Sequence, residues 1–295
     1  MQNASRPTFL IPGVSRAGTT TLHDYLSEHD DIFMPAAKEL RFFDRDENYS
    51  RGTEYYEQQF ANHDGETAVG EASPPYWYRG ITFDSNRNYR FDPSDDPPAR
   101  IREQYPDIKL IFTLRNPISR AYSQYWKNVR QGRERVYPFS DAIEAEIEGS
   151  RDHRDTAMCW YYKNQYSTHL ERWFDLFDED QILLLIFEEW IGDPPAALDR
   201  ICEFLDVEPP EQWRDTDRQK NETKTPKNLR LNEIYHDHLR WTGIGELIYY
   251  LNLRTGYPEM DSEMERYLAD AFESEISAVE RIIGRKLDVW RNDPF

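Results

Sequence analysis

FLIPGVSRAGTTTLHDYL, Phe9 to Leu26, is the stretch on which the fold turns. An apolar run closes at Pro12-Gly13, and Gly18 opens a threonine-rich, amphipathic segment. That order, strand, tight turn, helix, is the arrangement that binds phosphate at a helix N-terminus. In nucleoside-triphosphatases the loop reads G-x-x-x-x-G-K-S/T. Here Gly13 and Gly18 keep the spacing, Thr19 stands where the lysine belongs, and Arg16 is the only cation inside the loop. The amides of Ala17 to Thr20 would face an anion with the helix dipole behind them, Thr19 and Thr20 adding hydroxyls and Arg16 a bidentate clamp. On this motif alone, an ordinary strand-to-helix turn capped by threonine stays open.

Outward from the loop, the pattern alternates strand and helix. Pro7 to Gly13 reads as the first strand, Thr19 to Glu28 as the first helix, and Thr67 to Ser73 as a short second strand. Arg90 to Arg100 is a loop by its Pro and Asp content. Ile108 to Leu114 is a buried strand, followed by a helix that Asn116 caps and Pro117 opens. A helical stretch over 156–177, a strand from Gln181 to Trp190 and a helix from Pro194 to Leu205 come next. The last helix starts at a Ser262/Glu265 capping box and stops at Gly284. The expected fold is therefore α/β: a single P-loop-like domain over residues 1–295, its central parallel sheet flanked by helices.

Bulk properties narrow the function. A net charge of −19 argues against nucleic acid, which needs a basic footprint. No apolar run reaches transmembrane length and the N-terminus lacks a signal peptide's apolar core, so the chain reads as soluble and cytoplasmic. Eight lysines stand against twenty-eight arginines, and with the acidic excess this suggests a surface adapted to high salt. Cys159 and Cys202 read as buried thiols. His236 and His238 alternate as on a strand without a third ligand, so no metal site is expected.

Two further stretches carry chemistry. In FTLRNPISRAYSQYWKN, Arg115 follows a buried strand at the sheet's carboxyl edge, and Ser123 and Lys127 share the polar face of the next helix. Arg115 with Ser123 can hold a second phosphate, or that face is simply solvated. The strand ends in Leu114-Arg115 with no aspartate for magnesium, so the chain is poorly equipped to use ATP. In KELRFFD, Lys38 to Asp44, Glu39 can return to the same sheet edge. Flanked by Lys38 and Arg41, it would stay ionised and accept a proton. A surface salt-bridge cluster is the alternative.

Together these stretches resemble the sulfotransferases that use 3′-phosphoadenosine 5′-phosphosulfate (PAPS), most closely the glycan-modifying, heparan sulfate type. GVSRAGTTTL is similar to that family's 5′-phosphosulfate loop, which implies that Ser15, Arg16, Ala17, Gly18, Thr19 and Thr20 meet the donor. LRNPISRAYSQY resembles its 3′-phosphate motif and implies Arg115 and Ser123 as ligands. KELRFFD resembles the segment with the family's catalytic glutamate, here Glu39. GEASPPYW, YSTHLERWF and IIGRKLDVW resemble further landmarks in the same order.

The resemblance implies sulfonate transfer to an acceptor hydroxyl, on a carbohydrate or glycoconjugate, leaving 3′-phosphoadenosine 5′-phosphate (PAP), without metal. Glu39 would be the base, and Arg16 and the loop amides would stabilise the leaving PAP. Arg41 could meet an acidic sugar. Tyr76 and Trp77 offer a stacking platform, with core packing weighed evenly against it. The chain departs from the pattern at Arg16 and at Ala72, where the glycan enzymes carry lysines; Lys38 is a candidate replacement for the second. Asn221 to Arg230 is the expected cofactor-covering loop, with Lys224 and Lys227 as its cations. A degenerate P-loop kinase-like enzyme and a non-catalytic PAP-binding relative are the competing classes.

Overall fold

The computed structural model describes residues 6–78, 80–83, 89–91, 96–148, 150, 159–214, 216 and 223–292. Its strands are β1 (Phe9–Gly13), β2 (Ile32–Phe33), β3 (Ala68–Ala72), β4 (Ile81–Phe83), β5 (Tyr89–Phe91), β6 (Lys109–Leu114), β7 (Ile182–Ile186), β8 (Lys224–Pro226) and β9 (Leu253–Thr255). The helices of eight residues or more are α1 (Thr19–Leu26), α2 (Pro97–Gln104), α3 (Pro117–Arg130), α4 (Phe139–Ile147), α5 (Tyr166–Leu176), α6 (Pro194–Leu205), α7 (Gly243–Leu251) and α8 (Ser262–Ile283).

Five strands form one sheet in the order β2-β3-β1-β6-β7, every pair parallel. The fold is thus the expected α/β arrangement. β1 is central and pairs β3 on one side and β6 on the other. Because successive side chains of a strand point to opposite faces, β1 feeds two cores. Leu10 packs with Leu110, Phe112, Trp77 and Trp173, while Phe9 and Ile11 pack with Leu22, Ile111, Leu185 and Ile201. Helices cover both faces, so the strands are mostly apolar, with Glu71 of β3 and Thr113 of β6 as buried polar exceptions. Separate antiparallel pairs join β4 to β5 and β8 to β9.

Several boundaries differ from the sequence expectation for physical reasons. The helix expected over 156–177 starts only at Tyr166, after a single tight turn at Tyr162–Asn164. Residues 156–158 lie outside the described residues. Ahead of the turn, the Trp160 and Tyr161 amides and the Cys159 thiol donate to the buried Glu146 carboxylate, which competes with helix hydrogen bonds. The strand expected to Trp190 ends at Ile186, opposite Leu114, because its partner β6 ends there; Phe187–Trp190 makes a helical turn. Arg90 to Arg100 is not all loop: β5 enters it, and α2 begins within it under an Asp96 cap, with 92–95 outside the described residues. The cap of α8 is Asp261, which accepts from the Glu263 and Met264 amides at 2.9 and 3.3 Å, rather than a Ser262/Glu265 box. His236 and His238 sit in a π-helical turn, Tyr235–Leu239, and not on a strand.

Candidate active site

β1, β3 and β6 all deliver their carboxyl ends to one edge of the sheet, where open α/β folds bind ligands. The loop after β1 is fastened there by its neighbours. Val14 donates its amide to Thr113 O at 2.9 Å. Three donors then take successive loop carbonyls: Arg120 Nε on Ser15 O (2.9 Å), Arg115 Nη1 on Arg16 O (3.2 Å) and Thr113 Oγ1 on Ala17 O (2.8 Å). Trp190 Nε1 in turn holds Thr113 Oγ1 at 2.8 Å. Gly18 ends the loop at φ 82°, where a Cβ would lie 2.3 Å from Trp190 Cζ2, so both the backbone and the space demand glycine.

The expectation that the amides from Ala17 onward face an anion needs one adjustment. Ala17 N donates to Val14 O at 3.3 Å within the loop. Gly18 caps α1 without a side chain, so the following amides of Thr19 and Thr20 are first-turn donors with no intrahelical acceptor. An anion at this end of α1 would meet them with the helix dipole behind.

Arg16 links Ser123 and Arg115, its side chain meeting Ser123 and its carbonyl accepting from Arg115. Arg16 Nε donates to Ser123 Oγ at 2.8 Å. Arg115 lies 5.0 Å over the Phe187 ring, and its buried Nε has no hydrogen-bond partner among the described residues. An orphaned guanidinium N–H suits a phosphate oxygen. Sequence reasoning missed a fourth member. Tyr257, between β9 and α8, donates its hydroxyl to Ser123 Oγ at 2.7 Å and accepts from Thr223 Oγ1 at 3.0 Å. Burial alone would raise the Tyr257 phenol, but Arg16's charge, the bonds to Ser123 and Thr223, and Arg115 outweigh it and lower the pKa.

The basin is electropositive within an acidic chain. Burial pushes Lys127, one turn beyond Ser123 on α3, down to about 8; Arg16 pushes the same way and Glu39 opposes. Lys127 therefore feels both the loop arginine and the glutamate. Its i+4 spacing from Ser123 was the readable signal for it. Lys163, 5.1 Å over the Tyr78 ring, is held at about 7 by burial, with Arg120, Lys127 and Arg41 adding repulsion.

Glu39 is exposed and shares a cleft of about 130 Å³ with Thr19, Thr20, His23, Lys38, Ala72 and Pro74. Its φ is 55°, as is that of Arg41, while Arg16 has φ 73°. Asp206 apart, these are the described non-glycine residues with positive φ. Such strain costs on the order of 1–3 kcal/mol per residue and collects at functional sites. The Lys38–Asp44 loop is held from beneath by Glu71, which the sequence reading left without a role. That carboxylate, 1 % exposed, accepts from Tyr56 OH (3.0 Å), Tyr76 OH (2.7 Å), Ser73 Oγ (2.6 Å) and the Leu40 amide (3.3 Å). Burial raises its pKa, opposed by those hydrogen bonds.

The acceptor-side expectations are corrected. Tyr76 and Trp77 are fully buried, Tyr76 bonded to Glu71 and the Phe42 amide, Trp77 packed on Phe112 and Tyr166, so neither presents a face to a sugar. Arg41 is buried with its guanidinium on Asp44 through Nε (2.7 Å) and Nη2, and Lys38 donates to Asp24. The two cations expected to flank Glu39 thus pair with other carboxylates. Lys224 is exposed on β8, and Lys227 Nζ caps the Leu251 carbonyl at 2.9 Å; residues 217–222 of that region lie outside the described residues.

The comparisons bear on this geometry. The family model of the sulfotransferase domain matches residues 6–280. The chain belongs to the sulfotransferase domain family. Human heparan sulfate glucosamine 3-O-sulfotransferase 5 is 28% identical over 207 residues, covering 69% of this chain and 54% of that protein. Human bifunctional heparan sulfate N-deacetylase/N-sulfotransferase 2 is 27% identical over 294 residues, covering 96% of this chain and 30% of that protein. The sulfotransferase-family chain thus spans about half, or less than a third, of the length of these relatives. A solved sulfotransferase from Alicyclobacillus acidocaldarius superposes with a TM-score of 0.70 at 27% identity, over 97% of this chain and 99% of that one. A mouse sulfotransferase complexed with PAP shares the fold with a TM-score of 0.51 at 13% identity, over 97% of this chain and 87% of that one. Among the described residues no cluster of three metal-ligating side chains occurs.

Proposed function

We propose that this sulfotransferase-family chain transfers the sulfonate of PAPS to a hydroxyl, most simply of a carbohydrate. The observation that carries this is that Glu39 shares one cleft with Thr19 and Thr20, at the end of α1 where Arg16, Ser123 and Arg115 also meet. In this reading the amides of Gly18 to Thr20 and Arg16 hold the 5′-phosphosulfate end, and Arg115, Ser123 and Tyr257 hold the 3′-phosphate. The donor supplies an activated sulfonate whose leaving group is a phosphate. Arg16, a permanent cation, offsets the charge that grows on that group but gives no proton. Glu39 takes the proton from the acceptor hydroxyl.

Lys127, which Arg16 and Glu39 both influence, supplies the second cation that Ala72 does not. The glycan acceptor rests on the names of the heparan sulfate relatives, since the aromatic platform is buried. Magnesium has no part in this scheme.

Calorimetric titration of PAP, with Mg-ATP in parallel, tests the donor. Metal-free PAP binding that falls about a hundredfold in Arg115→Ala is expected, because a charge-assisted pair to phosphate is lost. Preference for Mg-ATP, or indifference of PAP binding to Arg115, would overturn it.

A further inference from the structure

α7 and the turn before it present an apolar face that the rest of the fold leaves bare. Trp241 is 87 % exposed, Ile244 and Leu251 67 %, Tyr250 64 % and Leu247 59 %. No other large apolar side chain among the described residues exceeds 41 %. The spacing 241, 244, 247, 251 lines one side of a helix, while the opposite side packs inward through Gly245 and Tyr249, whose hydroxyl reaches Arg130 O at the end of α3. A contiguous bare patch of this kind marks an interaction surface.

Its charge setting selects the partner. In a chain of net charge −19, three cations lie at the margin of this patch. Arg240 lies 4.7 Å over the Trp241 ring, Lys227 Nζ sits on the Leu251 carbonyl, and Arg254 follows three residues after the helix end on β9, exposed. The one carboxylate of α7, Glu246, accepts from Tyr235 OH at 2.8 Å on the other side of the helix, and Asp237 is paired with Arg135. A helix with Trp, Tyr and aliphatic residues on one face and Lys and Arg at its margin is built to lie in the headgroup layer of an anionic bilayer. A second copy of this chain is a poorer fit, since a two-fold contact would bring the cationic margins together.

We infer that α7 docks the protein on an anionic lipid surface, its axis in the plane of the interface and the donor site held close by on α3. No helix among the described residues is long and apolar enough to cross a membrane, so the attachment is to one leaflet.

The test is sedimentation of the full chain with phosphatidylglycerol-containing vesicles and with phosphatidylcholine vesicles alone. Binding to the anionic vesicles, weakened by added KCl and reduced at least about tenfold in Ile244→Ser/Leu247→Ser, is expected. The variant changes exposed positions only, and unchanged PAP titration would show that it is folded. Absence of binding, equal binding by wild type and variant, or a dimer in light scattering that the variant converts to monomer would each overturn the inference.

Discussion

The two loops that meet in the cleft are both fastened by hydrogen bonds but leave different groups open. In the loop after β1, Ser15, Arg16 and Ala17 each give their carbonyl oxygen to a donor on β6, on α3 or in the turn between them, and the amides of Thr19 and Thr20 just beyond have no intrahelical acceptor. Amides are left over, and amides bind anions. In the Lys38–Asp44 loop both halves of the peptide unit are engaged: Leu40, Arg41 and Phe42 donate their amides to Glu71, Ser73 and Tyr76, and the Leu40, Arg41 and Phe43 carbonyls accept from Asn48 and Arg100. A carboxylate, Glu39, is left over, and a carboxylate accepts a proton. Both loops carry left-handed backbone at a residue of the proposed site, Arg16 in one and Glu39 in the other. The same device of strained backbone and extensive hydrogen bonding thus leaves a helix end open in one loop and a carboxylate exposed in the other.

The largest break in this comparison would come from Glu39→Gln. Sulfonate transfer from PAPS to a heparan-type oligosaccharide should fall by about 10²–10⁴, the usual worth of a positioned base, with PAP affinity unchanged. Loss of PAP binding in that variant would mean that the two loops do not divide the work.

A smaller and more local effect is expected from Glu71→Gln, which places an NH₂ against donors that now find a carboxylate. Amide exchange at Leu40 and Arg41 should speed up about tenfold and turnover should drop by a similar factor, while the loop after β1 keeps its PAP affinity. Unaltered exchange at Leu40 would show that the loop does not depend on this carboxylate.

The smallest effect concerns Lys127. Its pKa is lowered to about 8, so it is charged below that pH and neutral above. PAP affinity should therefore weaken a few-fold as pH rises through about 8, and Lys127→Met should flatten that dependence. Folding stability moves the other way. Above about 8 the unfolded chain retains a lysine proton that the folded chain has lost, so this group's contribution to stability rises with pH up to the unfolded-state value. A PAP titration with equal pH dependence in wild type and Lys127→Met would remove Lys127 from the site.

Much of this was legible in the chain because it depends on local spacing. The interval from Gly13 to Gly18, the apolar run Ile108 to Leu114 and the Asn116-Pro117 helix start each specify backbone within a few residues, and the structure has the loop, the strand and the cap there. Arg16, Glu39, Arg115 and Ser123 could be named because they lie at the ends of such elements. What a side chain touches is set instead by elements far away in sequence. Tyr76 and Trp77 look alike as a sugar platform or as core, and only the packing of Phe42, Phe112 and Tyr166 around them decides for core. Arg41 was an open cation until Asp44 enclosed it.

Local pattern therefore determined the α/β scaffold, the glycine-bounded turn after β1 and the residues at the sheet edge. The tertiary structure alone decided that Tyr257 joins Ser123 across 134 positions, that Arg16 reaches Ser123 across 107, and that Glu71 lies beneath the Glu39 loop. The reason is physical. Hydrogen bonding and periodicity along the backbone act over a few residues, whereas burial, desolvation and charge coupling depend on which distant segments the fold brings within a few ångströms.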